Sequence, residues 1–337
     1  MSISSVLPAG STVVVTGANG FVASHLVQQL LLAGYKVRGT ARAASKLQNL
    51  RAKWNAEFGE GKFEALVVED LTKIDALKEA MQGASAVAHV ASDLSMSSDP
   101  NAVIPAVIAM TENILSTANA TPSIKRVVLT SSTGAGAISQ PGVEGIEVNE
   151  WTWNEFAKKE ARATPEEDPL KGLWVYCASK TEGEQAAWAY VEKEKPHFEF
   201  NSVVPTFVMG PTILPDQVSS SAGIVKALFF GDKGYASMLP PQYFVNAEDV
   251  ALVHLGALTL PSVVSQRVWS VAEPYNWDQV LAIFRKLHPS RTFVEDFQDG
   301  HDLSQIDRSK ATEVLRQLGR EGWRGLSETL EAAVGRE

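Results

Sequence analysis

The sequence predicts an α/β fold: a doubly wound parallel sheet joined to a smaller, mixed C-terminal domain. Three observations predict it. Short, almost wholly apolar runs alternate with helix-like patterns through the first 205 residues, as strands buried on both faces require. A glycine-rich turn stands directly between the first apolar run and the first helical pattern. After Pro205 the alternation gives way to a stretch rich in Pro, Gly and Ser, from 206 to 242.

The elements follow in order. Residues 12–16 (TVVVT) read as the first strand. In 21–32, Val22, Leu26 and Leu30 recur every fourth residue and Gly34 supplies a stop, so the segment reads as a helix. Strands are predicted at 36–41, 63–68, 86–90, 126–130 and 200–204, with long helices at 102–120 and 174–194. Further on, 222–230 and 247–260 are helix-like and 267–271 is a strand. A helix over 276–287 has Asn276 as its cap, and 310–318 and 327–334 close the chain as helices.

Composition narrows the function. With 337 residues, 45% hydrophobic and 20% charged, the chain can bury a large core without disulfide or metal staples. Its 30 Lys and Arg against 39 Asp and Glu give −9. That field repels nucleic acid and anionic membranes, although two or three clustered cations can still hold a small anion. The single cysteine, Cys177, can form neither an internal disulfide nor a cysteine metal cluster. It points to a reducing compartment, and with no signal-like N-terminus and no apolar run of ~18–20 residues, a cytoplasmic location is expected. The histidines have no metal-binding spacing, so no metal is expected. The absence of G-x-S-x-G disfavours an α/β-hydrolase.

Thr16-Gly17-Ala18-Asn19-Gly20-Phe21-Val22-Ala23 follows the first strand and opens the first helix. Gly17 would make the tight turn and Gly20 would admit a phosphate to the backbone, with the helix N-terminus facing a pyrophosphate. NAD binders carry an acid after the second strand. Here Arg42 and Lys46 stand there instead, and two cations suit the 2′-phosphate of NADP. Asp70-Leu71, after the third strand, fits either an adenine grip or a helix cap.

Tyr176 and Lys180 stand at i and i+4, one turn apart on one helix face. An ammonium so placed favours tyrosinate, and a lowered pKa would make Tyr176 a ready proton donor. Thr130-Ser131-Ser132 ends the fifth strand, at the sheet edge where such folds bind ligands. Cys177 follows Tyr176 but points about 100° away, which suits core packing. His89 ends the fourth strand and reads as structural or near a cofactor.

With these residues in order, the chain resembles the extended short-chain dehydrogenase/reductases over essentially its whole length. Within them it is most similar to fungal and yeast NADPH-dependent aldehyde/ketone (carbonyl) reductases related to dihydroflavonol reductase. The resemblance lies in TGANGFVASHL (16–26), YKVRGTARAASK (35–46), VEDL (68–71), AHVAS (88–92), RVVLTSS (126–132), LWVYCASKTEGEQAAW (173–188), VVPTFVMGP (203–211) and FRKLHPSRTF (284–293). It implies a Rossmann-type sheet and Ser132 rather than Ser131, Tyr176 and Lys180 as a catalytic triad. It implies NADPH as cofactor, held by Gly17, Asn19, Gly20, Phe21, Val22, Arg42, Lys46, Asp70, Leu71, Thr130, Tyr176 and Lys180. Ala91 and Ser92 would border its ribose, and Pro205 to Val208 its nicotinamide. Ala23 stands in place of the usual third glycine, and Ala109 where relatives often have glycine.

The resemblance further implies a cofactor domain from 1–205 plus about 243–262, and a substrate domain from about 206–242 plus 263–337. The expected reaction is reduction of a small carbonyl compound, with Tyr176 as proton donor, in a monomer or homodimer. Leu94, Met96, Trp174, Val208, Met238, Leu239, Pro240 and Gln242 are pocket candidates by placement and bulk, with core packing an equal alternative for each. Two other readings stay open: a sugar epimerase or dehydratase, which suits an acid after strand two, and a non-catalytic NADP-sensing regulator, which would not need the Tyr–Lys pair.

Overall fold

The computed structural model describes residues 5–215, 217 and 221–336. The first part of the chain forms β1 (Thr12–Val15), α1 (Phe21–Leu32), β2 (Lys36–Ala41), α2 (Gln48–Phe58), β3 (Phe63–Val67), α3 (Ile74–Met81) and β4 (Ala86–His89). It continues with α4 (Pro100–Asn119), β5 (Arg126–Thr130), β6 (Glu147–Val148), α5 (Glu155–Ala163), α6 (Lys171–Glu194) and β7 (Glu199–Pro205). Then come β8 (Phe207–Met209), α7 (Ser221–Phe229), α8 (Gly234–Met238), β9 (Gln242–Asn246), α9 (Ala247–Thr259) and β10 (Arg267–Ser270). The chain closes with β11 (Glu273–Tyr275), α10 (Trp277–Leu287), β12 (Gln305–Ile306), α11 (Ser309–Gln317) and α12 (Leu326–Val334).

Seven strands form one parallel sheet in the order β10-β7-β5-β4-β1-β2-β3. Neighbouring residues of one strand serve opposite faces, which is why the strands read as unbroken apolar runs. Val13 and Val15 join Leu26 and Leu30 of α1, Leu255 and Leu258 of α9, and Val314 of α11 on one face. Val14, between them, joins Leu77 of α3, Ile114 and Leu115 of α4 and Phe200 on the other. In α9, every residue but Glu248 is buried, as befits a helix sandwiched between sheet and outer helices. The strand order reverses between β1 and β4, and the carboxyl ends of all seven strands lie along one edge. A crevice opens there in such sheets.

A second body is built on the three-stranded sheet β11-β9-β8, with α7, α10 and α12 packed on it. Its core is aromatic, with Phe244, Tyr275, Trp277, Phe284 and Phe229. Helix α10 starts at a reciprocal cap. The Asn276 side chain accepts from the Gln279 N–H, and Gln279 accepts from that of Asn276.

The expected limits need one correction. Everything beyond 262 was assigned to the second domain, yet β10 is an edge strand of the large sheet and α11 packs on α9 and β10. The strand is held there by its backbone pairing with β7 and the burial of Val268 and Trp269, and Arg267 at its start meets Glu184 of α6 in the interior. The sequence reading also placed no element at α2, α3, α5 or α8, or at the short strands β6, β8, β9, β11 and β12.

Candidate active site

The glycine turn after β1 is held from both sides. The Thr16 hydroxyl oxygen accepts the N–H groups of Val90 and Ala91, each at 3.1 Å, and lies 2.9 Å from His89 Nδ1. With its lone pairs so engaged, Thr16 donates its proton to Nδ1, which places the imidazole proton on Nε2. Burial, with the Lys180 ammonium nearby, pushes His89 down to about 3 and keeps it neutral. Gly17 has φ +65°, and a Cβ there would lie 3.1 Å from the Ala91 Cβ. Only glycine meets both demands. Ala23 is fully packed in the core beside Val13, so its extra methyl is accommodated.

Helix α1 begins at Gly20 with no side-chain cap and no acidic residue in its first turn. Its positive end is left for an anion. The turn is clasped by Gln217, whose Nε2 donates to the carbonyls of Asn19 (3.0 Å) and Gly20 (3.3 Å) and to Ser24 Oγ (2.9 Å). Arg42 and Lys46 are exposed just beyond β2 and, among the described residues, make no side-chain hydrogen bond or ion pair. Asp70 Oδ1 accepts from the Thr72 N–H (2.9 Å) and hydroxyl (2.6 Å), which hold its carboxyl below the usual range. Asp70 thus closes a turn and is not the expected helix cap, since α3 is preceded by Lys73 at its cap position; Leu71 packs on the core cluster behind it. An uncapped helix end, a glycine with no room for a Cβ and two free cations fit a phosphorylated dinucleotide.

The reacting groups gather where β5 ends. Ser131 and Ser132 continue the extended chain, so their side chains point to opposite sides. Ser131 is buried and donates to Glu184 Oε2 at 2.6 Å. Ser132 turns the other way: its oxygen accepts the Gly134 N–H at 3.2 Å, and its hydroxyl is near enough to the Tyr176 phenol to favour the phenolate. Lys180, one turn along α6, donates from Nζ to the Thr130 carbonyl at 3.0 Å. The far side of Thr130 is also tied, since Oγ1 lies 2.7 Å from His254 Nε2 while Nδ1 of that ring is 2.8 Å from the Val250 carbonyl. A carbonyl can only accept, so Nδ1 carries the proton and the Thr130 hydroxyl donates to Nε2. Burial pushes His254 down to about 4.

The electrostatics differ from the expectation in one respect. The Lys180 ammonium was expected to lower the Tyr176 pKa; instead burial pushes the phenol up to about 12, with the Ser132 hydrogen bond only partly opposing it. The ammonium is turned to Thr130 and is itself lowered to about 8 by burial, against the pull of the Glu184 carboxylate. Cys177 is buried against Gly134 with its thiol pushed up to about 12, an inert packing group.

Ala91, Ser92, Thr130, Lys180 and His89 line one crevice between β4, β5, α4 and α6. Pro205 ends β7, and Val208 packs with Phe21 at the start of α1; Val22 adjoins the same cluster. The pocket candidates are less united. Leu94 and Met96 are exposed on the loop after β4, and Met96 adopts φ 54° with its carbonyl directly over Gly172. Met238 is exposed, Leu239 packs on the aromatic core, and Gln242 Nε2 donates to the Pro240 carbonyl at 3.4 Å. Trp174 stands about 200° around α6 from Tyr176 and packs edge-on against Phe156, with ring centres 5.5 Å apart. It faces α5 and is not brought to the site. Thr16, Glu184, Gln217 and His254 were missed by the sequence reading. Glu184 alone left a signal, at i+4 from Lys180.

A parallel sheet with a glycine turn at its switch point and a Ser–Tyr–Lys group at its carboxyl edge defines an extended short-chain dehydrogenase/reductase. The chain belongs to the NAD dependent epimerase/dehydratase family, whose model matches residues 13–272. It is 50% identical over 335 residues to Aldehyde reductase 2 of Sporidiobolus salmonicolor, covering 98% of this chain and 97% of the relative. It is 36% identical over 335 residues to Ketoreductase nvfG of Aspergillus novofumigatus, covering 97% of each. The yeast methylglyoxal/isovaleraldehyde reductase Gre2, solved in complex with NADPH, superposes with a TM-score of 0.80 at 27% identity, over 95% of this chain and 96% of that one.

Proposed function

We propose that the protein is an NADPH-dependent carbonyl reductase that converts aldehydes or ketones to alcohols. The observation that carries this reading is the convergence, at the carboxyl edge of the sheet, of Ser132 after β5 with Tyr176 and Lys180 one turn apart on α6, the Lys180 ammonium being fixed to the Thr130 carbonyl at 3.0 Å. When bound, NADPH supplies the hydride. Ser132 donates a hydrogen bond to the carbonyl oxygen of the substrate. Tyr176 is protonated at neutral pH, as an ordinary phenol of pKa ~10 is, and burial only raises that value, so it holds the proton that the developing alkoxide needs. Lys180, fixed by the Thr130 carbonyl, sets a positive charge beside the phenol and stabilises the tyrosinate left behind.

Gly17 and the uncapped start of α1 would hold the pyrophosphate, and Arg42 and Lys46 the 2′-phosphate. The names of the aldehyde reductase and ketoreductase relatives, and the NADPH in the yeast structure, support the same reading. The body on the seven-stranded sheet would hold the cofactor. The second body, with Leu94 and Met96 opposite it, would hold the substrate. A reducing compartment, the cytoplasm, suits the single buried cysteine. Among the described residues no helix is long and apolar enough to cross a membrane. A monomer or homodimer needs no further partner.

The test follows cofactor absorbance against a panel of aldehydes, diketones and β-ketoesters, with NADPH and NADH in parallel. Consumption of NADPH with at least one class, faster than NADH, is expected. NADPH binding without consumption across the panel would sink the reductase reading. Equal use of both cofactors would remove the role given to Arg42 and Lys46.

A further inference from the structure

The interior behind the site holds a complete ion pair that the reaction does not touch. Glu184 lies on α6 one turn beyond Lys180 and two beyond Tyr176, with no exposed side-chain surface, and Arg267 of β10 is 3% exposed. Glu184 Oε1 accepts from Arg267 Nε (2.9 Å) and Ser202 Oγ (2.6 Å). Its Oε2 accepts from Arg267 NH2 (3.1 Å) and Ser131 Oγ (2.6 Å). The Arg267 guanidinium also donates to the Thr152 carbonyl and lies 3.9 Å from the centre of the Trp153 ring. One carboxylate thus joins α6 to the ends of β5, β7 and β10.

An apolar residue at 184 would pack the same space without the cost of a buried charge. The position of the pair shows what the charge does. Ser131 is the residue before Ser132, so the bond to Ser131 fixes which way Ser132 faces. The helix it is fixed to carries Tyr176 and Lys180. We propose that Glu184, clamped to Arg267, is a positioning residue: it ties the strand end bearing Ser132 to the helix bearing Tyr176 and Lys180, and keeps the Lys180 side chain charged.

The charge balance around Lys180 supports the second part. On α6 the ammonium faces Tyr176 and Cys177, both protonated and neutral, and Glu184. From β4 it faces His89, and across Thr130 lies His254 of α9; burial keeps both neutral. Helix α4 brings only Val107, Met110 and Thr111 to the crevice, and Arg267 of β10 lies behind Glu184. Glu184 is therefore the anion that opposes the loss of the proton which burial favours.

This inference deepens the reductase reading, and its first test stands without that reading. Lysine labelled at Cε is titrated by NMR in the full-length protein, with the Lys180 resonance assigned through Lys180→Arg. The wild-type midpoint is expected near 8, and Glu184→Gln should lower it by about one unit, the scale of a neighbouring opposite charge. The alkaline limb of the kcat/KM profile should move down with it. An unmoved midpoint would overturn the proposal, because a purely structural carboxylate would change stability and not the Lys180 titration. If Glu184→Gln does not fold, Glu184→Gln/Arg267→Met removes both charges together, which buried pairs often tolerate. A smaller fall is expected there, because the Arg267 cation that opposes the Lys180 charge is removed with the carboxylate, and a midpoint at or above the wild-type value overturns the proposal. A shifted midpoint in a protein that reduces nothing on the panel would refute the reductase reading and leave the hold on Lys180 standing.

Discussion

In the proposed reaction Tyr176 is the acid, and its hydroxyl is the one atom whose removal isolates that role. Tyr176→Phe should lower kcat by about 10²–10⁴-fold, the range for a lost general acid. NADPH binding, read by fluorescence, should stay near wild type. A variant that kept most of its turnover would show that the proton comes from elsewhere. At this scale the sequence told much. The four-residue spacing of Tyr176 and Lys180 and the glycines of the first turn were legible because each is a local geometric demand. The direction of the Tyr176 shift was not, since spacing gives the nearness of a charge and says nothing of depth. Burial, decided by residues far along the chain, sets the direction, against the smaller pull of Ser132. The division of labour between Ser131 and Ser132 likewise depends on which side of the strand end is filled, and Glu184 fills it.

Helix α6 carries the reacting phenol on one face and packs Trp174 and Val175 on another. Its first turn contains Gly172, four residues before Tyr176, and a Cβ there would lie 2.3 Å from the Met96 carbonyl oxygen. Backbone cannot yield as a flexible side chain can, so Gly172→Ala must push the 91–99 loop or the helix aside. A loss of about 1–3 kcal/mol in urea unfolding is expected, with a raised KM for the carbonyl substrate. A stable variant with unchanged KM would mean that the loop does not border the pocket. Elements of this kind differ in how far they can be read. Helix α9, apolar apart from Glu248, Asp249, His254 and Thr259, is legible in the sequence. Helix α2 buries only Leu50 and Trp54, too thin a stripe for periodicity to reveal. The strands β6 and β12 pair over two residues each, and no pattern exists in a segment so short.

The whole molecule has a built-in sensitivity to acid. His89 and His254 are both buried and neutral, with pKa values near 3 and 4 against an ordinary 6.5. Their contribution to stability is complete above about 6.5 and is lost as pH falls toward those values, because the unfolded chain takes up the protons first. For His254 alone this is on the order of 3 kcal/mol. The urea midpoint should therefore drop between pH 7 and 5, and His254→Gln should flatten the drop. A midpoint constant over that range would contradict the buried, neutral assignment. The sheet's strand types were legible from their apolar runs. The place of the last strand was not, because its partners, the β7 backbone and the Glu184 carboxylate 83 residues before Arg267, are distant in the chain.

That separation has a consequence for how the protein is made. The ribosome completes α6, with its buried carboxylate, well before it reaches Arg267. At ~5–20 residues per second the 83-residue interval lasts on the order of 4–17 s. Throughout it the nascent chain carries an interior anion without its cation and, once β7 is made, a strand with an unpaired edge. The proposed reaction centre is thus assembled late in synthesis, after Lys180, the last residue of its Ser–Tyr–Lys group, has long been made.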